Sequence, residues 1–219
     1  MADAFSLPLA LDYSATLIWA VSGALVAARR RYDLVGLCGM ALVSATGGGL
    51  IRDGLFLQQG PPALVQTPWY IALSLVGALF VYFVGRRFYA SPRFTFTIGF
   101  ADALGLGAYA VIGMTKAQTV GMSNLGVILV GLVNAVGGGV LRDLLVGREQ
   151  TIFKPGTLNV IAALAGCALF VALGEWTSLE TAACAWATIA LTFFLRATAI
   201  RFNIQTMPTV GFDDSNTAP

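Results

Sequence analysis

The chain has 219 residues, of which 57% are hydrophobic and only 11% charged, with 13 Lys and Arg, 11 Asp and Glu and no histidine. A mean hydropathy of +0.78, with charge far below the roughly 25% of an ordinary soluble domain, excludes a soluble globular protein. Without histidine the commonest general base and metal ligand are absent. No nucleophile-and-base constellation replaces it, so no enzyme activity, metal site or cofactor is expected, nor does a net charge of +2 point to nucleic acid.

Apolar runs of about 20 residues bounded by charges or turn residues read as transmembrane helices. In chain order they cover 5–28, 33–57, 68–85, 94–114, 119–146, 156–174 and 179–196. The first begins within "MADAFSLPLALD", which lacks a basic leader region, and is long enough to span, so no cleavable signal peptide is expected. The second contains "SATGGGLIRDGL", residues 44–55, and the fifth repeats it as "NAVGGGVLRDLL", residues 134–145. Cys38, Cys167 and Cys184 all fall within spans and suit packing better than a disulfide framework. Trp69, Tyr70, Tyr82 and Tyr89 fit interfacial belts. The closing "GFDDSNTAP" reads as a short disordered tail.

Lysine and arginine set the orientation. Arg29, Arg30, Arg31, Arg86, Arg87, Arg93, Arg148 and Lys154 fall in alternate connections, and Arg196 and Arg201 follow the last span. Lys116 stands alone on the other side, where it reads as an exposed loop charge. By the positive-inside rule the N-terminus is outside and the C-terminus cytoplasmic, which itself requires an odd number of spans.

A shift of 90 residues superimposes the chain on itself without gaps. Asp12 falls on Asp102, Trp19 on Tyr109, Gly23 on Gly113 and Ser44 on Asn134. Gly47, Gly48 and Gly49 fall on Gly137, Gly138 and Gly139, and Arg52-Asp53 falls on Arg142-Asp143. Each repeat holds three spans, so the second enters the membrane inverted. The expected organisation is a first repeat over 1–90, an inverted second over 91–178, a seventh helix over 179–200 and a cytoplasmic tail over 201–219. In such folds glycine-interrupted helices at matching positions point to the binding or permeation site.

Three consecutive glycines permit a kink or unwinding, and both triplets lie midway along their spans. Freed backbone groups at that depth are tolerated only when protein or a water-filled cavity satisfies them. The reading is therefore that helices 2 and 5 are broken at the triplets; close helix packing through small residues is the alternative. Arg52, Asp53, Arg142, Asp143, Asp12 and Asp102 carry a formal charge of −2 inside the membrane, and such residues usually face a bundle interior or a water path. Adjacent residues diverge on an ideal helix, so Arg52 and Arg142 are expected to pair with Asp12 and Asp102 rather than with their neighbours. Structural pairing or snorkelling to the interface is the alternative. Ser44 and Asn134 are suited either to ligating a passing ion or to bonding a neighbouring helix. For Trp19 and Tyr109 apolar packing is the simpler account.

Seven spans, the 3+3 inverted repeat and the doubled GGGxxRD resemble the prokaryotic members of the TRIC family, the trimeric intracellular cation channels, over about residues 5–200. The resemblance implies a homotrimer in the inner (plasma) membrane of a prokaryote. Each protomer would have its own pore for K⁺ and Na⁺ between kinked spans 2 and 5. Gly47–Gly49 and Gly137–Gly139 would be the kinks, and the two Arg-Asp pairs pore or gate residues. Related bacterial sequences are also called glycine transporters, so a secondary transporter of a small solute is the second reading, and a structural assembly module a third. No filter motif of the TVGYG kind sets K⁺ against Na⁺.

Overall fold

The computed structural model describes residues 9–88, 92–149 and 158–206. The tail expected to be disordered, Tyr89 and Lys154 lie outside them. The described residues form helices and no strand: α1 (Leu9–Arg29), α2 (Leu34–Ile51), a π-helical turn (Arg52–Leu57), α3 (Ala63–Gln66), α4 (Pro68–Phe88), α5 (Pro92–Thr119), α6 (Asn124–Leu145), α7 (Asn159–Trp176) and α8 (Thr181–Phe202). Among the described residues six helices are long and apolar enough to cross a membrane. The 28-residue α5 occupies the place of the fourth predicted span. The molecule is an all-helical, multi-pass membrane protein.

Local chemistry starts matching helices in matching ways. Asp33 caps α2 by accepting a hydrogen bond from Gly36 N at 2.8 Å, and Ser123 caps α6 by accepting from Gly126 N at 3.4 Å. Such a side-chain cap satisfies one of the free N–H groups of the first turn and is worth about 1 kcal/mol. The two turns leading into these helices also match. Tyr32 N bonds back to Ala27 O at 3.1 Å and Met122 N to Ala117 O at 3.2 Å. Each turn has one left-handed residue, Arg31 at φ 59° and Gly121 at φ 74°. Positions 31 and 121 are again 90 apart, but only the second has the residue that adopts this conformation without strain.

The repeats bury two cores. One joins α1, α2 and α4 around Trp19, Met40 and Val81. The other joins α5, α6 and α7 around Met114, Val127 and Phe170, and α8 adds Cys184, Ala185 and Ile189 to it. The helix beyond the repeat therefore packs on one half only. All three cysteines are free, as expected of packing residues. Large side chains such as Leu79, Phe83, Leu129 and Leu164 remain exposed, as helices surrounded by lipid allow.

The two halves meet where α2 crosses α6, and here the structure corrects the expected helix breaks. Neither triplet unwinds: α2 stays α-helical to Ile51, and α6 runs unbroken from Asn124 to Leu145. A methyl group on Gly48 would overlap the carbonyl of Asn134, and one on Gly138 would overlap that of Ser44. A methyl on Gly47 would lie 3.1 Å from the Cα of Gly138, and one on Gly137 3.0 Å from the Cα of Gly48. These contacts are reciprocal, the signature of a two-fold axis through the crossing. Lipid offers no hydrophobic gain for helix association, so close backbone approach between small residues supplies it instead. The glycines serve proximity. The irregularity comes after them, where α2 changes to π winding at Arg52, and the second repeat does not copy it.

Candidate functional site

A cavity lies on each side of the crossing. The first, about 240 Å³, is lined by Asp12, Ala45, Gly49, Arg52, Asp53, Tyr70, Tyr109 and Lys116, among others. The second, about 60 Å³, is lined by Trp19, Ser44, Leu106, Ala135, Val136, Gly139, Arg142 and Asn159. Ala45 and Ala135, Gly49 and Gly139, and Arg52 and Arg142 are repeat equivalents, so one cavity is the inverted counterpart of the other. The third glycine of each triplet has a role different from the first two. A methyl on Gly49 would have as its nearest neighbour the Arg52 guanidinium at 3.7 Å, and one on Gly139 that of Arg142 at 3.8 Å. These glycines open floor space in front of each arginine.

The expectation that adjacent arginine and aspartate diverge is corrected in both repeats. Arg52 Nε donates to Asp53 Oδ1 at 2.6 Å, and its Nη2 donates to Asp53 Oδ2 at 2.9 Å. Two parallel bonds of this kind are the strong arrangement for a guanidinium and a carboxylate. The π turn that begins at Arg52 changes the angle between successive residues from its α-helical value, and single π turns of this kind gather at functional sites. In α6 the winding stays regular, and the long arginine stem alone brings Arg142 Nε to Asp143 Oδ1 at 3.1 Å.

Further partners distinguish the halves. Arg52 Nη1 also donates across the crossing to Asn134 Oδ1 at 3.1 Å, while Asn134 Nδ2 donates to the carbonyl of Tyr109 at 2.6 Å. Asn134 is fully buried and bonds neighbouring helices at both ends of its amide, the second of its two expected roles. Ser44, its counterpart, is too short to make the same reach; it is buried and lines the second cavity. Arg142 Nη1 turns instead to Ser22 Oγ at 3.2 Å. The Arg52 side chain is 5% exposed and that of Arg142 is 20%.

Asp53 is held from further directions. The backbone N–H of Ala63, at the start of α3, donates to its Oδ2 at 3.1 Å, and Lys116 Nζ lies 4.0 Å from its Oδ1. Lys116 is thus no loop charge: it stands near the end of α5 and lines the first cavity. Asp12 accepts a 2.6 Å hydrogen bond from the Tyr70 hydroxyl, so Tyr70 has a polar partner inside the bundle. Trp69 and Tyr82 do remain exposed.

Asp102 meets neither arginine of the motif. It accepts from Trp19 Nε1 at 2.9 Å and from Arg196 Nη2 at 3.2 Å. Arg196 lies within α8, which continues to Phe202, and is buried rather than following the span. The Trp19 and Tyr109 rings pack at a tilt of 48° with centroids 4.3 Å apart, and the Tyr109 hydroxyl is 2.7 Å from Thr16 Oγ1. Both rings therefore have polar partners beyond packing. Sequence reading missed Tyr70, Tyr109, Trp19, Ser22, Lys116 and Arg196. The available signal was that position 160, equivalent to Tyr70, is Val160, which leaves Asp102 in need of a different donor.

The arrangement sets two separate, repeat-related cavities on either side of a glycine crossing, with an Arg-Asp pair beside each. No group of residues suited to holding a metal ion occurs among the described residues.

A family model described as glycine transporter matches residues 9–86 and again residues 99–175, once in each repeat. The TRIC trimeric intracellular cation channel orthologue from Rhodobacter sphaeroides is 33% identical, with a TM-score of 0.79, over 90% of this chain and 98% of that one. The chain belongs to the TRIC family. A second TRIC cation channel structure, 26% identical, covers 96% of this chain and 100% of that chain with a TM-score of 0.86. A UPF0126 membrane protein of Deinococcus radiodurans is 37% identical over 71% of each chain. The double match of the family model gives this TRIC protein its internal repeat a second time, by a route independent of the cavities.

Proposed function

We propose that this TRIC protein is a passive channel for monovalent cations, K⁺ and Na⁺, with one path in each protomer of a homotrimer. The path runs through the first cavity, past the α2–α6 crossing and out through the second cavity. The observation that carries this reading is the pairing of two repeat-related cavities, each with a charged arginine in its lining, around a contact made of glycine backbone. Carboxylates lining a water-accessible cavity in low dielectric concentrate cations, and Asp12 and Asp53 line the first one beside Arg52 and Lys116, so that moving Arg52 away would leave the lining negative. The pairs Arg52–Asp53 and Arg142–Asp143 serve as gates, since moving either guanidinium changes both the width and the charge of the path. The channel is neither an enzyme nor cofactor-dependent. Its two repeats, residues 1–90 and 91–178, supply the path, and residues 179–200 brace the second repeat. On this reading the second cavity opens towards the cytoplasm of a prokaryote and the first towards the outside, an orientation that the positive-inside rule supports.

A secondary transporter of glycine is the second reading. It is favoured by the description of the family model and by cavities on opposite sides of a closed crossing, which alternating access also requires. Purified protein in planar bilayers separates the two. Unitary K⁺ currents carrying many ions per opening support the channel. Stoichiometric glycine counterflow from proteoliposomes, with no unitary current, would replace it with the transporter.

A further inference from the structure

The repeat makes Asp12 and Asp102 equivalent, yet the structure treats them differently. Asp12 lines the first cavity together with Asp53. Asp102 is not among the residues lining the second, although it stands at its edge: Leu106, one helical turn along the same face of α5, and Trp19, whose indole bonds Asp102, both line it. What occupies its other oxygen is Arg196, at 3.2 Å. Arg196 belongs to α8, the helix outside the repeat, so the first half has no counterpart for it. The Arg196 side chain is 5% exposed and that of Asp102 is 35%. The cation is thus fixed in the packed interior while the carboxylate sits at its edge, within reach of the cavity. Asp143 does not line the second cavity either; it is buried behind Arg142, the charged residue among those that do.

Resting on the channel reading, we infer that Arg196 is a positioning residue that makes the path electrostatically asymmetric, by holding and neutralising Asp102. The first cavity presents two carboxylates, Asp12 and Asp53, balanced by Arg52 and Lys116, to a passing cation. The second presents an arginine, because the one carboxylate that symmetry would place at its mouth is tied to α8. A cation entering from the second cavity meets a less favourable potential than one entering from the first. The open channel therefore rectifies in identical salt on both sides. The seventh helix, beyond completing the core of the second repeat, sets the direction in which current flows more easily.

The test is the ratio of currents at equal and opposite voltages in symmetric KCl, measured on oriented, assembled wild-type protein and three variants. Wild type is expected to rectify. Arg196→Gln frees the Asp102 charge at the second mouth and is expected to move the ratio towards unity by about twofold or more. That is modest against the roughly ten- to thousand-fold that fixed charges lining a low-dielectric cleft can exert on local counter-ion concentration. Asp102→Asn removes the negative charge of the Arg196–Asp102 pair and is expected to move the ratio away from unity. The double variant removes both charges and is expected to return it to the wild-type value. A purely structural role for Arg196 would not produce opposite shifts that cancel. If Arg196→Gln does not assemble, the direction of the Asp102→Asn shift decides. Ohmic wild-type current, unchanged ratios, or a double variant that behaves like Arg196→Gln would overturn this inference alone. Absence of wild-type current would overturn it together with the channel reading.

Discussion

Gly48 and Asn134 lie in backbone contact, with no room for a β-carbon between the glycine and the asparagine carbonyl, and Gly138 stands in the same relation to Ser44. Two helices that touch through main chain at the centre of a membrane protein leave the outer glycines, Gly49 and Gly139, facing the cavities. The crossing therefore does two things at once: it closes the bundle at its middle and clears space before each arginine.

Adding a methyl at the contact tests the first of these. Gly48→Ala and Gly138→Ala are each expected to push α2 and α6 apart and destabilise the protein by about 1–3 kcal/mol, as overpacking does. A methyl on Gly39, also in α2, would meet nothing within 4 Å. Gly39→Ala is expected to stabilise by roughly 0.5–1 kcal/mol through the better helix propensity of alanine. Thermal melting of the detergent-solubilised protein reads all three, and equal effects would mean that the contact is not tight.

The two aspartates of the motif should part company on substitution. Asp53→Asn leaves the almost fully buried Arg52 guanidinium with the Asn134 amide as a remaining partner. Breaking a buried pair in this way costs on the order of 3–5 kcal/mol, and the variant also loses a carboxylate from the first cavity. Lower melting temperature and lower K⁺ conductance are expected together. Asp143→Asn strands a more exposed arginine and removes a carboxylate that does not line the second cavity. A smaller loss of stability and a smaller loss of conductance are expected, the latter only through the freed Arg142 guanidinium at the second cavity. Equal conductance losses in both variants would return Asp143 to the path.

Much of this arrangement could be read from the chain before its structure. The spans, the inverted repeat and the importance of GGGxxRD follow from composition and from a match at a single offset, because they depend on spacing along the chain. The partners of the charges depend on what each side chain reaches across the bundle, and there the repeat misleads. It relates Asp12 to Asp102, but Tyr70, which donates to the first, and Arg196, which donates to the second beside Trp19, occupy positions that the repeat does not relate. The π turn at Arg52 was equally hidden. Positions 52–57 and 142–147 share the Arg-Asp start, yet Gly54 and Phe56 face Leu144 and Val146, and no propensity rule converts that difference into a change of helix winding. The triplets were legible as special, but kink and close approach demand the same residue. Only the neighbouring carbonyls decide between them.

A smaller asymmetry gives a test of the turns. Arg31 holds the left-handed conformation that Gly121 holds in the second repeat. Such a conformation costs a residue with a β-carbon about 1–3 kcal/mol. Arg31→Gly is expected to recover part of this, raising the melting temperature. The gain should exceed that of Arg30→Gly, whose position has no positive φ. Loss of stability in Arg31→Gly would show that the arginine side chain contributes more than its backbone costs.

The central claim is that one path passes both flanks of the α2–α6 crossing. Gly49→Cys and Gly139→Cys, each made with Cys38, Cys167 and Cys184 replaced by alanine, put a thiol in front of Arg52 and Arg142 with room to spare. The most direct measurement is the K⁺ current through these variants before and after a charged, membrane-impermeant thiol reagent. The reagent is applied from the first-cavity side for position 49 and from the second-cavity side for position 139. Most of the current is expected to disappear in both, while Leu129→Cys, on the exposed face of α6, keeps its current. Complete labelling at positions 49 and 139 with the current intact would place the path elsewhere and contradict the account.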